Sequence, residues 1–201
     1  NKRVAVHLPE RSRVGLLTGD TLGLFGFGAI AREVSDIAQG LGQDVLTFDP
    51  YVPDDEIPAR VERVTELSNL FERSDAVSIH APLTGETHHA VSREELTALG
   101  ERGVLINTSR GPIVDEAALL EALESEALNA AGLDTFEEEP PGDDNPLYER
   151  DDVRLTPHVG GVTDEALARM SRRAARNVRT VYEGDLPEST MNRGAFEGGS
   201  Q

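Results

Sequence analysis

Six short apolar segments alternate with helical and loop-like stretches between residues 21 and 158, and that alternation leaves few folds open. They are TLGLFG (21–26), DVLTFD (44–49), AVSIHAP (76–82), GVLINTS (103–109), NAAGLD (129–134) and VRLTPH (153–158). Runs of this length, bounded by Gly, Pro and Asp, read as buried strands. Between the first two, apolar residues at Ile30, Val34, Ile37 and Leu41 have helical spacing, and Gly40 and Gly42 end the pattern. VTELSNLFERS (64–74) reads as a short helix. Ser92 and Glu95 have the spacing of a capping box at the start of another. Asp115 is the expected N-cap of a helix over 115–125, and a last long helix is expected from near Asp164 to Tyr182. Strands alternating with helices predict an α/β fold, a doubly wound parallel sheet with helices on both faces and ligands at the carboxyl ends of its strands.

Composition narrows the function. The 201 residues contain no cysteine, which excludes disulfides, cysteine nucleophiles and Cys-based metal centres. No metal-ligand spacing stands out among the acids. With 37 acidic residues against 19 basic ones the net charge is −18, a surface that repels phosphate backbones, so nucleic-acid partners are not expected. Of the basic residues 18 are Arg and only Lys2 is Lys. Acid-rich, Lys-poor composition is similar to that of halophilic proteins, in which salt screens self-repulsion. No apolar run is long enough to span a bilayer, so membrane partners are not expected either, and the expected location is cytoplasmic.

The stretch GLFGFGAIARE (23–33) joins the first strand to the first helix. Gly26 and Gly28 occupy the first two positions of G-x-G-x-x-G and Ala31 the third. The first glycine permits the turn and the second admits a pyrophosphate. The third serves close helix–strand packing, where alanine also fits. Phosphates at such a turn sit on the helix N-terminus. Asp49 ends the next strand 23 residues after Gly26, the spacing of a carboxylate that binds a ribose 2′-OH. No Arg follows it directly, which favours NAD over NADP. A solvated turn acid before Pro50 is the alternative reading of Asp49.

Three further segments place reactive groups just past strands: Arg110 in NTSRGPIVDEAAL, Glu139 in GLDTFEEEPP and His158 in LTPHVGGVT. Hydride transfer to an α-keto acid needs a cation for the carboxylate, which a guanidinium supplies bidentately. It needs a proton for the developing alkoxide, which an imidazole can supply and remove. A carboxylate beside that imidazole favours its charged form. Read singly, Arg110 could be a surface arginine, His158 a structural loop residue, and any of Glu137, Glu138 and Glu139 a solvated acid.

Taken together, TLGLFGFGAIA, VLTFDPYVP, SDAVSIHAPLTGETHHAV, LINTSRGPIVDEAAL, AGLDTFEEEPP and LTPHVGGVT resemble, in order, the cofactor-binding domain of the D-isomer-specific 2-hydroxyacid dehydrogenases. The resemblance covers roughly residues 21–192 and implies a Rossmann-like domain that binds NAD and acts on a small 2-hydroxy or 2-keto acid. It implies that Arg110 binds the substrate carboxylate and keto oxygen, His158 is the general acid/base, and Glu139 pairs with it. Gly26, Gly28 and Ala29 would form the pyrophosphate turn, and Ile30 would flank it. Pro82, Leu83, Thr108 and Ser109 would line the nicotinamide ribose pocket, and Asp134 would lie near the carboxamide. His80, His88 and His89 are assigned no chemistry. Family members usually carry a substrate lobe ahead of the first strand, whereas 20 residues precede it here. Residues 1–20 are therefore expected to be a remnant or linker, 21–184 the cofactor domain and 185–201 a loose tail. A chain without that lobe could bind NAD with little turnover, as a truncated domain or nucleotide-sensing module. Pairing through the cofactor domain implies a homodimer.

Overall fold

The structure, a computed structural model, describes residues 18–197. The expected remnant at 1–20 therefore lies outside the described residues except for its last three positions. Seven strands form one parallel sheet: β1 (Thr21–Phe25), β2 (Asp44–Phe48), β3 (Glu62–Arg63), β4 (Ala76–Ile79), β5 (Val104–Asn107), β6 (Ala130–Leu133) and β7 (Val153–Leu155). Their order is β3-β2-β1-β4-β5-β6-β7. The chain thus builds outward from β1 in one direction, returns, and builds in the other. The reversal falls between β1 and β4, where sheets of this kind hold their ligands.

The register sets where the site lies. Phe25 is level with Phe48 and Ile79, Ile79 with Asn107, Asn107 with Leu133, and Leu133 with Leu155. Six strands therefore end in one row. Gly26, Asp49, His80, Thr108, Asp134 and Thr156, each the next residue, stand along one edge.

Helices α1 (Ala29–Gly40), α2 (Leu67–Glu72), α3 (Arg93–Leu99) and α4 (Glu116–Glu124) pack in two separate apolar clusters. Leu22 and Leu24 of β1 join Ala31 and Ala38 of α1, while Phe25 joins Leu70, Leu96 and Leu119 of α2, α3 and α4. The pleat sends alternate residues to opposite faces. Complete burial of a Leu such as Leu24, Leu70 or Leu96 contributes about 1.5–3 kcal/mol.

The caps follow the sequence reading. Glu95 accepts the Ser92 backbone N–H at 3.0 Å, and Asp115 accepts the Ala118 N–H at 3.0 Å. Three features differ from it. The helix read over 64–74 is confined to Leu67–Glu72, and β3 just ahead of it is a two-residue strand with no periodicity to detect. Helix α1 forms where expected but buries Ala31, Ser35 and Ala38 rather than its larger apolar residues. Ile30, Ile37 and Leu41 are 70%, 64% and 52% exposed. Val34, the remaining large apolar residue of the pattern, is partly buried against the same cluster.

Contacts divide the chain into two units, the first ending at His158 and the second starting at Val159. The second unit carries α5 (Asp164–Tyr182), which has the bounds read from sequence and is capped by Thr163. It also carries a short helix, α6 (Gly194–Glu197), where a loose tail is expected. Among the described residues no helix is long and apolar enough to cross a membrane.

Gly111 is tightly enclosed: a Cβ there would lie 1.7 Å from the Phe136 carbonyl oxygen. A Cβ on Gly28 would meet nothing within 4 Å. Gly111→Ala is expected to lower stability by about 1–3 kcal/mol or more. Gly28→Ala should cost clearly less. Thermal unfolding of both variants checks this; equal losses would contradict the packing.

Candidate active site

The phosphate turn begins at Gly26, whose φ of 92° and approach to the Ala81 backbone exclude a side chain, since a Cβ would come within 2.7 Å of Ala81 N. Gly28 is the N-cap of α1 and makes no side-chain cap. No acidic residue occupies the first turn. The N-terminal amides of α1 are thus offered beside open space at Gly28, a cradle that a Cβ would fill. Ala29 and Ile30 are exposed at this mouth, while Ala31 is fully buried at the packing position.

Asp49 ties this turn to the β2 exit. Its Oδ2 accepts the Phe27 N–H at 2.8 Å, and its Oδ1 accepts the N–H groups of Tyr51 and Val52 at 2.9 and 3.2 Å. A carboxylate has about four lone-pair sites, so one remains open, on Oδ2. Sequence reasoning missed Arg63. From β3 its guanidinium donates to the Asp49 carbonyl at 2.6 Å and the Val52 carbonyl at 2.8 Å, and it pairs with Asp54. The cation absent from the residues after Asp49 therefore arrives from the neighbouring strand, already committed to other oxygens. Tyr51 donates its hydroxyl to Glu86, across from the β4 exit, and that hydrogen bond and the Glu86 charge push the phenol pKa up.

Pro82 and Leu83 lie exposed after β4, and the Pro82 carbonyl accepts from Thr87. His80, two residues earlier, is bonded to Ser78 at 3.0 Å, and burial pushes its pKa down. Ser109 donates to the Ala81 carbonyl at 2.6 Å, joining the β4 and β5 exits. Asn107, which the sequence reading passed over, is buried and shapes the β5 exit. It accepts the Ser109 N–H and donates to the Arg110 carbonyl, both at 3.0 Å. Thr108 and Arg110 are left exposed. Asp134 is buried at the end of β6 and accepts from Thr156 at 2.5 Å.

His158 and Glu139 meet as the sequence pattern anticipates: Nδ1 stands 2.9 Å from Glu139 Oε2. An ionised carboxylate only accepts, so this contact puts the hydrogen of a neutral ring on Nδ1 and leaves Nε2 free. His158 has a left-handed φ of 54°. The Phe136 N–H donates to Glu139 Oε1 at 3.1 Å. The hydrogen bond from His158 holds the Glu139 carboxyl below its usual range. Partial burial opposes this; the Phe136 N–H and the charges of His158 and Arg110 add to it. Glu137 turns away to His89, at 2.7 Å from its Nε2.

Most of the chain matches a known family. Residues 3–160 match the family described as D-isomer specific 2-hydroxyacid dehydrogenase, NAD binding domain. The chain belongs to that family. It is 45% identical over 173 residues to the (S)-sulfolactate dehydrogenase of Chromohalobacter salexigens, which covers 85% of this chain and 56% of that protein. It is 38% identical over 177 residues to the D-3-phosphoglycerate dehydrogenase of Methanocaldococcus jannaschii, covering 88% of this chain and 34% of that one. Among solved structures, the D-lactate dehydrogenase with NAD+ from Lactobacillus jensenii superposes with a TM-score of 0.83 at 27% identity, covering 90% of this chain and 58% of the other. The chain thus spans about half the length, or less, of these relatives. Its fold is the family's Rossmann-like domain, and its cofactor is NAD.

A depressed carboxyl contributes stability above its unfolded-state pKa and loses that contribution as pH falls through the folded value. The Glu139 carboxyl should therefore titrate below the usual glutamate value of about 4.3. In Glu139→Gln the Tm deficit at neutral pH should close on acidification. Carboxyl NMR and pH-dependent melting check both; a deficit that persists at low pH would contradict the pairing.

Proposed function

We propose that this chain is the cofactor half of an NAD-dependent oxidoreductase that interconverts a small D-2-hydroxy acid and the corresponding 2-keto acid. The observation that carries this reading is the His158–Glu139 pair, with the Arg110 charge close enough to act on it, at the same sheet edge as the phosphate turn. The names of the relatives, dehydrogenases and reductases of small acids, support it.

Bound NAD supplies the hydride acceptor or donor. Gly26, Gly28, Ala29 and Ile30 hold its pyrophosphate, through backbone amides at the head of α1. Asp49 takes the adenosine ribose, and its charge disfavours a 2′-phosphate while Arg63 is occupied elsewhere. Pro82, Leu83, Thr108 and Ser109 line the nicotinamide ribose, and Asp134 faces the carboxamide. Arg110 binds the substrate carboxylate and polarises the keto oxygen. His158 exchanges a proton with the substrate oxygen at Nε2. Glu139 keeps the ring oriented with Nδ1 toward itself and supports the imidazolium that forms. The composition supports a cytoplasmic protein adapted to high salt, with no nucleic-acid or membrane partner. Exposed Ile37 and Leu41, farther along α1, support a homodimer. Light scattering in high salt should then give about twice the 21.7 kDa chain mass. A clean monomer would remove the dimer.

NADH titration by fluorescence, followed by glyoxylate or hydroxypyruvate reduction on the same sample, tests the site. Asp49→Ala should weaken NADH tenfold or more, for hydrogen bonds to a charged group worth about 1.5–3 kcal/mol. His158→Ala should lower turnover by about 100- to 10,000-fold with NADH affinity nearly unchanged. A folded chain that does not bind NADH would overturn the cofactor site. Turnover that survives His158→Ala would overturn the proton-transfer role.

A further inference from the structure

Three consecutive acids, Glu137, Glu138 and Glu139, follow Phe136, yet their side chains go to separate destinations. Glu139 reaches His158, and among the described residues Glu138 has no hydrogen-bond or ion-pair partner. Glu137 is the most constrained of the three. Its Oε1 is bonded to His89 Nε2 at 2.7 Å, and its Oε2 accepts the N–H of Glu116, the first residue of α4, at 3.2 Å. Its own N–H donates to Glu116 Oε1 at 2.6 Å, so 116 and 137 clasp each other reciprocally. Asn145 donates to the other oxygen of Glu116 at 3.4 Å and ties down the far end of the loop.

His89 is itself anchored. Its N–H donates to the Pro112 carbonyl at 2.9 Å, and Val91 and Asp115 continue the pairing between these segments. Gly111, next to Arg110, lies against the Phe136 carbonyl with no room for a Cβ. The 89–91, 110–116 and 136–139 segments are therefore locked together. The route from His89 to the reactive pair is short. His89 holds the Glu137 side chain; the Glu137 N–H, in the peptide that joins it to Phe136, is held by Glu116; the Phe136 N–H, one peptide earlier, occupies Glu139 Oε1; and Oε2 is bonded to His158 Nδ1.

We propose that Glu137, held by His89, is a positioning residue that seats the 136–139 turn so that Glu139 meets His158 Nδ1. The two residues touch neither of the reacting groups assigned above. They act through the Phe136 amide, and the proposal rests on the dehydrogenase reading for its significance. An imidazole without such a partner favours its hydrogen on Nε2. The clasp therefore decides which nitrogen faces the substrate oxygen with a free lone pair.

The test is nitrogen-15 NMR of the histidine rings, with carboxyl NMR of Glu139, in the 201-residue chain. His89→Leu removes the donor to Glu137, His89→Gln retains an N–H donor, and Glu137→Ala removes the acceptor. In the unaltered chain, neutral His158 should carry its hydrogen on Nδ1. In His89→Leu and Glu137→Ala it should shift toward the Nε2–H form, with the Glu139 midpoint rising toward the ordinary carboxyl range. His89→Gln should retain both signatures. A folded His89→Leu or Glu137→Ala chain that keeps both would overturn the proposal, as would a His89→Gln chain that loses them as fully as His89→Leu. If Glu137→Ala does not fold, the Leu and Gln pair at position 89 decides. None of these signals needs cofactor or substrate, so they stand or fall separately from turnover and its loss in His158→Ala.

Discussion

Parallel pairing without a register slip is the constraint on which the rest depends. Because β1, β2, β4, β5, β6 and β7 finish level, the residues that follow them are delivered to one edge whatever their distance in sequence. A slip of one residue at β5 would turn Asn107 out of its buried position and, with it, the Ser109 and Arg110 exit that its amide shapes. The apolar packing on both faces holds the register, so the core is what aligns the chemistry.

What could be read directly from the chain was what repeats locally. The α5 pattern, the Ser92–Glu95 box and the Asp115 cap are signals contained within a few residues, and each formed where its signal lies. The placement of Arg110, Glu139 and His158 was also legible, since each follows a strand. Features that depend on contacts across the chain were not. Arg63 reaches Asp49 from a strand of two residues, and His89 meets Glu137 across 48 positions. The buried face of α1 was only partly legible, because apolar spacing does not say which side of the stripe meets the sheet: Ala31 and Ala38 went in, Val34 is partly buried beside them, and Ile30 and Ile37 stayed out.

Both His–Glu pairs use a histidine with a left-handed backbone, φ of 52° at His89 and 54° at His158. Such a conformation is uncommon for a residue with a side chain, though histidine is among those enriched there. At both positions the geometry turns the ring onto an acid of the same loop. Two of the three consecutive glutamates, Glu137 and Glu139, are thus held in distinct contacts, while Glu138 between them is exposed.

The boundary at His158 also partitions charge. Six acidic residues and six arginines follow it, and they cancel, so the first unit carries the whole −18. Self-repulsion that weakens with added salt is consequently concentrated in the unit that holds the sheet and the nucleotide turn. Ionic strength acts on this chain as a lever with one arm: the net repulsion that salt screens lies in the unit with the sheet, while the electroneutral remainder has little to lose.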